Sequence, residues 1–190
     1  MSKVVVFTNL TLDGVMQAPG RPDEDRRGGF EHGGWAAPFG AMQEAGGAMG
    51  EPGALLFGRR TYEDFYGVWP GRKDNPFTEM LNNMPKYVAS RTRKEPLPWM
   101  NSTLLAGDAE DAVAKLRAGS GPDLLVFGSG ELVRSLMPCH LVDEFVLLMH
   151  PLVLGSGRRL FGDGGPSATL RLVHSQTTSR GVVVASYVPA

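Results

Sequence analysis

Three times in this 190-residue chain a short apolar run gives way at once to glycine, hydroxyl or arginine residues. The runs are Ala54-Leu55-Leu56-Phe57 before Gly58-Arg59-Arg60-Thr61-Tyr62-Glu63, Lys86-Tyr87-Val88-Ala89 before Ser90-Arg91-Thr92-Arg93-Lys94, and Asp123-Leu124-Leu125-Val126-Phe127 before Gly128-Ser129-Gly130-Glu131-Leu132. Largely unbroken apolar runs of this length suit strands covered on both faces, as in a parallel sheet. The first and third lead straight into helical spacing. Tyr62, Phe65, Tyr66 and Trp69 line one side until Pro70-Gly71, and Leu132, Val133, Leu136 and Met137 do so until Pro138. Strand, tight turn and helix in repetition make an α/β pattern.

The remaining segments extend it. Val4 to Leu10 is β-branched and apolar, a buried central strand. Ser102 to Ala106 is a further strand. After it Asp108 stands as a helix N-cap, with Ala109, Ala112, Val113 and Leu116 at helical spacing until Gly119-Ser120-Gly121-Pro122. Trp35 to Met49 and Pro76 to Asn83 read as helices. From Val142 the order changes. Val142 to Val153 is long and strand-like, and Thr169 to Thr177 and Gly181 to Val188 alternate like the arms of an antiparallel hairpin. The expectation is one α/β domain over residues 1–190. It has a mixed, mostly parallel central sheet, helices on both faces and an antiparallel C-terminal hairpin. Residues 15–40 form a Gly/Pro-rich, lid-like insertion, since so long a stretch without regular structure is uncommon unless it serves a site.

Composition excludes several functions. The formal charge is −1, with no basic stripe interleaved with aromatics, so a nucleic-acid partner is not expected. Cys139 alone rules out an internal disulfide and a cysteine zinc site. His32, His140, His150 and His174 lack ligand spacing, so they are read as structural and no metal is expected. No run reaches the ~20 apolar residues of a membrane span, and Met1 to Phe7 reads as a first strand rather than a signal peptide. The expected setting is the cytoplasm, away from membranes.

Ligands of open α/β sheets bind beyond the carboxyl ends of the strands. Gly58, Arg59, Arg60 and Thr61 offer helix-start N–H groups, a hydroxyl and guanidinium forks, and so suit a phosphate. Ser90, Arg91 and Thr92 alternate hydroxyls with a cation. Gly128, Ser129, Gly130, Glu131 and Leu132 let backbone approach a pyrophosphate. The last motif lacks the third glycine of the dinucleotide fingerprint, since Val133 stands there.

In series these segments resemble the RibD-type C-terminal reductase domain and its stand-alone relatives in the dihydrofolate-reductase-like superfamily. The resemblance also rests on Leu10-Thr11-Leu12-Asp13-Gly14 and on Asp143-Glu144-Phe145 through Pro151-Leu152-Val153-Leu154-Gly155-Ser156-Gly157-Arg158-Arg159-Leu160-Phe161, in family order over nearly the whole chain. It implies NADPH as cofactor, with the adenosine 2′-phosphate near Arg59, Ser90 and Arg91. The pyrophosphate is then expected near Arg60, Thr61 and the turn from Gly128 to Leu132, and Asp13-Gly14 near the nicotinamide and substrate. A homodimer is a further expectation from the same resemblance. The chain departs from the riboflavin enzyme in carrying no deaminase Cys/His signature and in its insertion from Gln17 to Phe39, so the substrate does not carry over.

The residues leave alternatives open. Asp13 is a turn-forming aspartate or a catalytic carboxylate positioning a polar group or relaying a proton. Trp35 and Phe39 stack on a flat small-molecule substrate or belong to the core, and Arg158 and Arg159 bind a substrate phosphate or decorate a turn. The expected activity is NADPH-dependent hydride transfer to a C=N or C=O bond of a small heterocycle, pterin- or pyrimidine-like. The alternative is a non-catalytic NADP(H)-binding or regulatory protein on the same fold.

Overall fold

The structure, a computed structural model, describes residues 1–51, 53–73 and 75–190. Among the described residues eight strands form one sheet in the order β4 (Ser102–Leu105), β3 (Lys86–Ala89), β2 (Ala54–Gly58), β5 (Leu124–Phe127), β1 (Val4–Thr11), β6 (Glu144–His150), β8 (Val183–Pro189) and β7 (Leu170–Thr177). The chain divides into two compact units, Met1–Val4 with Glu51–Leu141, and Val5–Gly50 with Val142–Ala190.

In the first unit β2 (Ala54–Gly58) pairs in parallel with β3 (Lys86–Ala89) and with β5 (Leu124–Phe127). Strand β4 (Ser102–Leu105) adds in parallel to β3. Helices α2 (Arg59–Val68), α3 (Phe77–Asn83), α4 (Ala109–Ala118) and α5 (Gly130–Leu136) join these strands. Every residue of β5 is buried, as the unbroken apolar run requires. Phe57 packs among Tyr62, Phe65 and Trp99, and burying such a ring contributes roughly 1.5–3 kcal/mol. The Tyr62 hydroxyl accepts the Trp99 N–H at 3.0 Å.

Lys86 is wholly buried on β3. Its ammonium donates to the carbonyls of Asn82, Met84 and Met100 at 3.0, 2.8 and 3.1 Å and lies 4.6 Å from the Trp99 ring centroid. Burial lowers its pKa from 10.5 to about 8. Asp108 stands at the N-cap of α4 as expected, yet no cap bond forms. Its carboxylate instead takes Arg91 Nη2 at 3.0 Å.

In the second unit β1 (Val4–Thr11) runs parallel to β6 (Glu144–His150). Strand β8 (Val183–Pro189) is antiparallel to β6, and β7 (Leu170–Thr177) is antiparallel to β8. The sheet is thus mixed and mostly parallel with an antiparallel C-terminal pair, as the sequence predicts. Two expectations are corrected. The strand expected to reach Val153 stops at His150, because Pro151 has no N–H to continue a ladder. The helix expected from Trp35 to Met49 shrinks to α1 (Ala41–Ala45), flanked by 3₁₀ turns at Ala37–Phe39 and Gly46–Met49. Gly40 at φ 60° breaks the run before Ala41, and Gly46-Gly47 weakens it after Ala45.

The insertion has a small core of its own, in which Val15, Ala18, Phe30 and Trp35 pack with Leu152 and Leu154. Gln17 knits it together. Its Nε2 donates to the carbonyls of Asp25 and Arg27 at 3.2 and 2.9 Å, and its Oε1 accepts Arg158 N–H at 3.0 Å. Gly157, at φ 123°, passes so close that a Cβ would sit 2.7 Å from Val15 Cγ1 and 2.8 Å from Phe30 Cε2. Only glycine fits there.

Candidate functional site

The junctions after β2, β3 and β5 end neighbouring parallel strands, so their turns emerge at one edge of the first unit. Side chains stitch them together. Gly58 N–H donates to Ser129 Oγ at 3.0 Å, joining the first junction to the third. Arg60 Nη1 reaches Glu131 Oε1 at 3.5 Å across the same pair of turns. Ser129 is held at φ 48°, and Gly128 at φ 52° faces Thr61, with Cγ2 3.9 Å from a Cβ position. Gly130 begins α5, and Leu132 is buried beneath the turn.

Glu63, a residue the sequence reading did not place in the site, links the first junction to the second. Its carboxylate takes Arg59 Nη1 at 3.3 Å and Arg93 Nη2 at 2.6 Å. The signal was present, because Arg59 and Glu63 are four apart in α2 and share a helix face. In the second junction the Ser90 hydroxyl accepts the N–H groups of Thr92 and Arg93 at 3.2 and 3.0 Å, closing a turn that presents Arg91. Arg91 and its partner Asp108 are both exposed. An open concavity of about 420 Å³ runs beside this pair, lined by Ala106, Gly107 and Asp108 together with α4 residues. Two arginines against one carboxylate at Glu63 leave a local excess of positive charge. Partly exposed ion pairs of this kind are weak enough to rearrange around a stronger anion.

The second unit holds the other candidates. Asp13 follows β1. Its carboxylate accepts the Thr11 hydroxyl at 2.6 Å and the N–H groups of Leu154 and Gly155 at 3.2 and 2.8 Å, with Arg159 Nη2 at 3.8 Å. The Thr11 hydroxyl foremost, outweighing partial burial, and then these N–H groups hold its pKa at about 2. Asp13 is therefore an anion near neutrality. It braces the turn after β1 against the loop after β6, and Arg159 completes the brace by donating from Nε to the Asp13 carbonyl at 2.8 Å. Arg158 serves the insertion through Gln17.

Trp35 is buried and donates its indole N–H to Gln17 O at 2.7 Å. Trp35 and Phe39 meet edge-on with a third ring, His150, at centroid distances of 5.2 and 5.1 Å. His150 is fully buried, and burial lowers its pKa from 6.5 to about 4. Its Nε2 lies 2.9 Å from Asn9 Oδ1, and its Nδ1 has no hydrogen-bond partner. In the sequence His150 reads only as a structural residue. Among the described residues no group of His, Cys, Asp and Glu could hold a metal, and no helix is long and apolar enough to cross a membrane.

A mixed eight-stranded sheet whose basic turns gather at one edge defines a RibD-like protein of the dihydrofolate-reductase fold. The chain belongs to the RibD C-terminal domain family, whose profile matches residues 2–184. It is 33% identical over 141 residues to the uncharacterized protein YyaP of Bacillus subtilis (strain 168), covering 70% of this chain and 72% of that one. Its fold is similar to a pyrimidine reductase-like protein of Corynebacterium diphtheriae NCTC, with a TM-score of 0.62 at 13% identity over 100% of this chain and 92% of that one. It is similar too to a diaminohydroxyphosphoribosylaminopyrimidine deaminase/5-amino-6-(5-phosphoribosylamino)uracil reductase of Thermotoga maritima, with a TM-score of 0.63 at 14% identity. There the match covers 100% of this chain and 57% of that chain.

Proposed function

We propose that the protein is an NADPH-dependent reductase of a small heterocycle, pyrimidine- or pterin-like, reduced at a C=N or C=O bond. The observation that carries this reading is the gathering of three basic or glycine-rich turns at one sheet edge, with Glu63 setting Arg59 beside Arg93. The donor set fits the cofactor chemically. Arg59, Ser90, Arg91 and Thr92 would hold the 2′-phosphate, while Arg60, Thr61 and the turn from Gly128 to Leu132 would hold the remaining phosphates. The concavity beside Asp108 has room for a flat base. NADPH, when bound, supplies the hydride, and the chain supplies binding, orientation and exclusion of water. Asp13 contributes as a fixed anion and a brace, since a carboxyl with a pKa of about 2 has no proton to give near neutrality.

The test is fluorescence titration of the purified protein with NADPH and NADH. Saturable NADPH binding at micromolar concentration is expected. Arg59→Ala with Arg91→Ala should weaken NADPH at least tenfold while leaving NADH nearly unchanged. Absence of saturable binding below millimolar NADPH overturns the reading.

One observation favours a second reading, a protein that binds NADP(H) without turning it over. Asp13 is ionised and His150 is neutral and buried, so neither candidate donates a proton readily. NADPH oxidation measured against pterins, pyrimidines and carbonyl compounds separates the two, and tight binding without oxidation favours the second.

A further inference from the structure

We propose that Trp35 to Phe39 form a hinged cover over His150, and that His150 Nδ1 is a ligand-facing acceptor for an uncharged N–H or O–H group. This inference stands on the second unit alone and does not depend on the nucleotide.

Asn9 Oδ1, 2.9 Å from Nε2, can only accept, so Nε2 carries the ring proton. The bare lone pair then falls on Nδ1, which finds no donor and lies in a fully buried residue. A buried acceptor left without a donor is costly and uncommon in folded proteins, and where one occurs it calls for a reason. A desolvated neutral imidazole in this tautomer suits the N–H of a flat heterocycle and disfavours an anion.

The position is that of a site. His150 ends β6 opposite Thr11, the last residue of β1, and both strands run in the same direction. Their carboxyl ends are where open sheets take ligands. What lies over the imidazole is Trp35 and Phe39 from the insertion, each edge-on to it.

The cover is built to swing at its outer end, Phe39, about an inner end held at Trp35. Glycines in the left-handed region bound it, Gly34 at φ 82° and Gly40 at φ 60°. Such positions absorb backbone rotation at low cost. Its outer fastenings are exposed bonds to the turn between β7 and β8. Arg180 Nη1 donates to Pro38 O. Just beyond Gly40, Glu44 accepts the Ser179 N–H at 2.8 Å and the Ser179 hydroxyl at 2.7 Å. Exposed bonds of this kind break and re-form readily, whereas the buried Trp35 indole bond to Gln17 O keeps the inner end in place.

Diethyl pyrocarbonate, a small uncharged electrophile that acylates an accessible imidazole lone pair, is the probe, read residue by residue by mass spectrometry. The exposed His32, His140 and His174 serve as references. In wild-type protein His150 should react slowly, at Nδ1, and at a rate insensitive to low urea. Arg180→Ala and Ser179→Ala should each speed its modification at least tenfold while leaving the references and the circular dichroism unchanged. Nitrogen NMR of the free protein should show Nε2 protonated and Nδ1 bare. Modification of His150 at one rate in all three proteins, rising steeply with urea as global unfolding does, overturns the cover. Protonation at Nδ1 overturns the acceptor. If the variants fail to fold, the urea dependence and the tautomer of the wild-type protein decide alone.

Discussion

The N–H of Gly58 donates to the hydroxyl of Ser129, 71 residues along the chain, at 3.0 Å. That bond joins the ends of β2 and β5 and makes two separate turns into one surface. Ser129 holds a left-handed backbone at φ 48°, ψ 41° to reach it. Ser129→Ala keeps the backbone requirement and removes the acceptor. The loss is about 1 kcal/mol for a part-buried neutral bond. Stability should fall by that amount in urea titrations, and the NADPH affinity proposed for these turns by about fivefold, because the turns no longer keep their spacing. Unchanged NADPH affinity would mean that the two turns do not act together.

The buried ammonium of Lys86 makes a second prediction. Lys86→Met keeps the stem and strips the donor from three carbonyls. The Met84 and Met100 carbonyls then bear a desolvation cost, while Asn82 O keeps the Asn101 Nδ2 donor at 3.2 Å, and a total of about 3 kcal/mol is expected, or roughly 6–12 °C in melting temperature. The folded pKa of about 8 lies below the unfolded value of 10.5. Between those values the unfolded chain binds more protons, so wild-type stability should rise with pH there. The Met variant should lack that rise. Parallel curves for the two proteins would show that the ammonium is not strained by its burial.

How much of this was legible beforehand depended on the range of the signal. Unbroken apolar runs such as Leu124 to Phe127 disclosed buried parallel strands, and glycine, serine and arginine after them disclosed the turns. Glu63 was visible as the residue four after Arg59, yet its second partner, Arg93, comes from a different strand's turn and no local spacing announces it. Asp13 was ambiguous in sequence because two of its partners, Leu154 and Gly155, lie about 140 residues away and only Thr11 is local. His150 carried no signal at all. Its significance comes from Asn9, Trp35 and Phe39 meeting around it, which is tertiary information. The helix expected from Trp35 onward failed for a local reason, since Pro38 and Gly40 together outweigh the apolar spacing around them.

Asp13→Ala should act on stability more than on the proposed binding of NADPH. It removes a carboxylate that takes a hydroxyl and two N–H groups and steadies Arg159. Charge-assisted bonds of this kind are worth about 1.5–3 kcal/mol when lost together with a partly buried partner. A melting temperature lower by roughly 3–12 °C is expected from calorimetry. Asp13→Asn should recover part of that loss, because an amide oxygen still accepts from the Gly155 N–H. An alanine variant as stable as the wild type would remove the bracing role.

The upper part of the acid limb of the stability curve, from pH 6.5 to about 5, follows His150. Its folded pKa of about 4 lies below the unfolded 6.5, so the folded form resists the proton that the unfolded form accepts. Above about pH 6.5 neither state binds that proton and the full stability is present. As the pH falls from 6.5 to 4 the unfolded chain is protonated first, and stability declines by on the order of 3 kcal/mol before levelling off. Asp13, depressed from 3.8 to about 2, acts only below this window. His150→Phe has no proton to take up and keeps a ring against Trp35 and Phe39, so its stability should stay flat from pH 6.5 to about 5 in urea titrations run at fixed ionic strength, above the range in which Glu44 and Glu110, both lowered from 4.5, take up protons. If the Phe variant loses stability along the same slope as the wild type, another group controls the acid limb, and the imidazole is less shielded from water than its position under Trp35 requires.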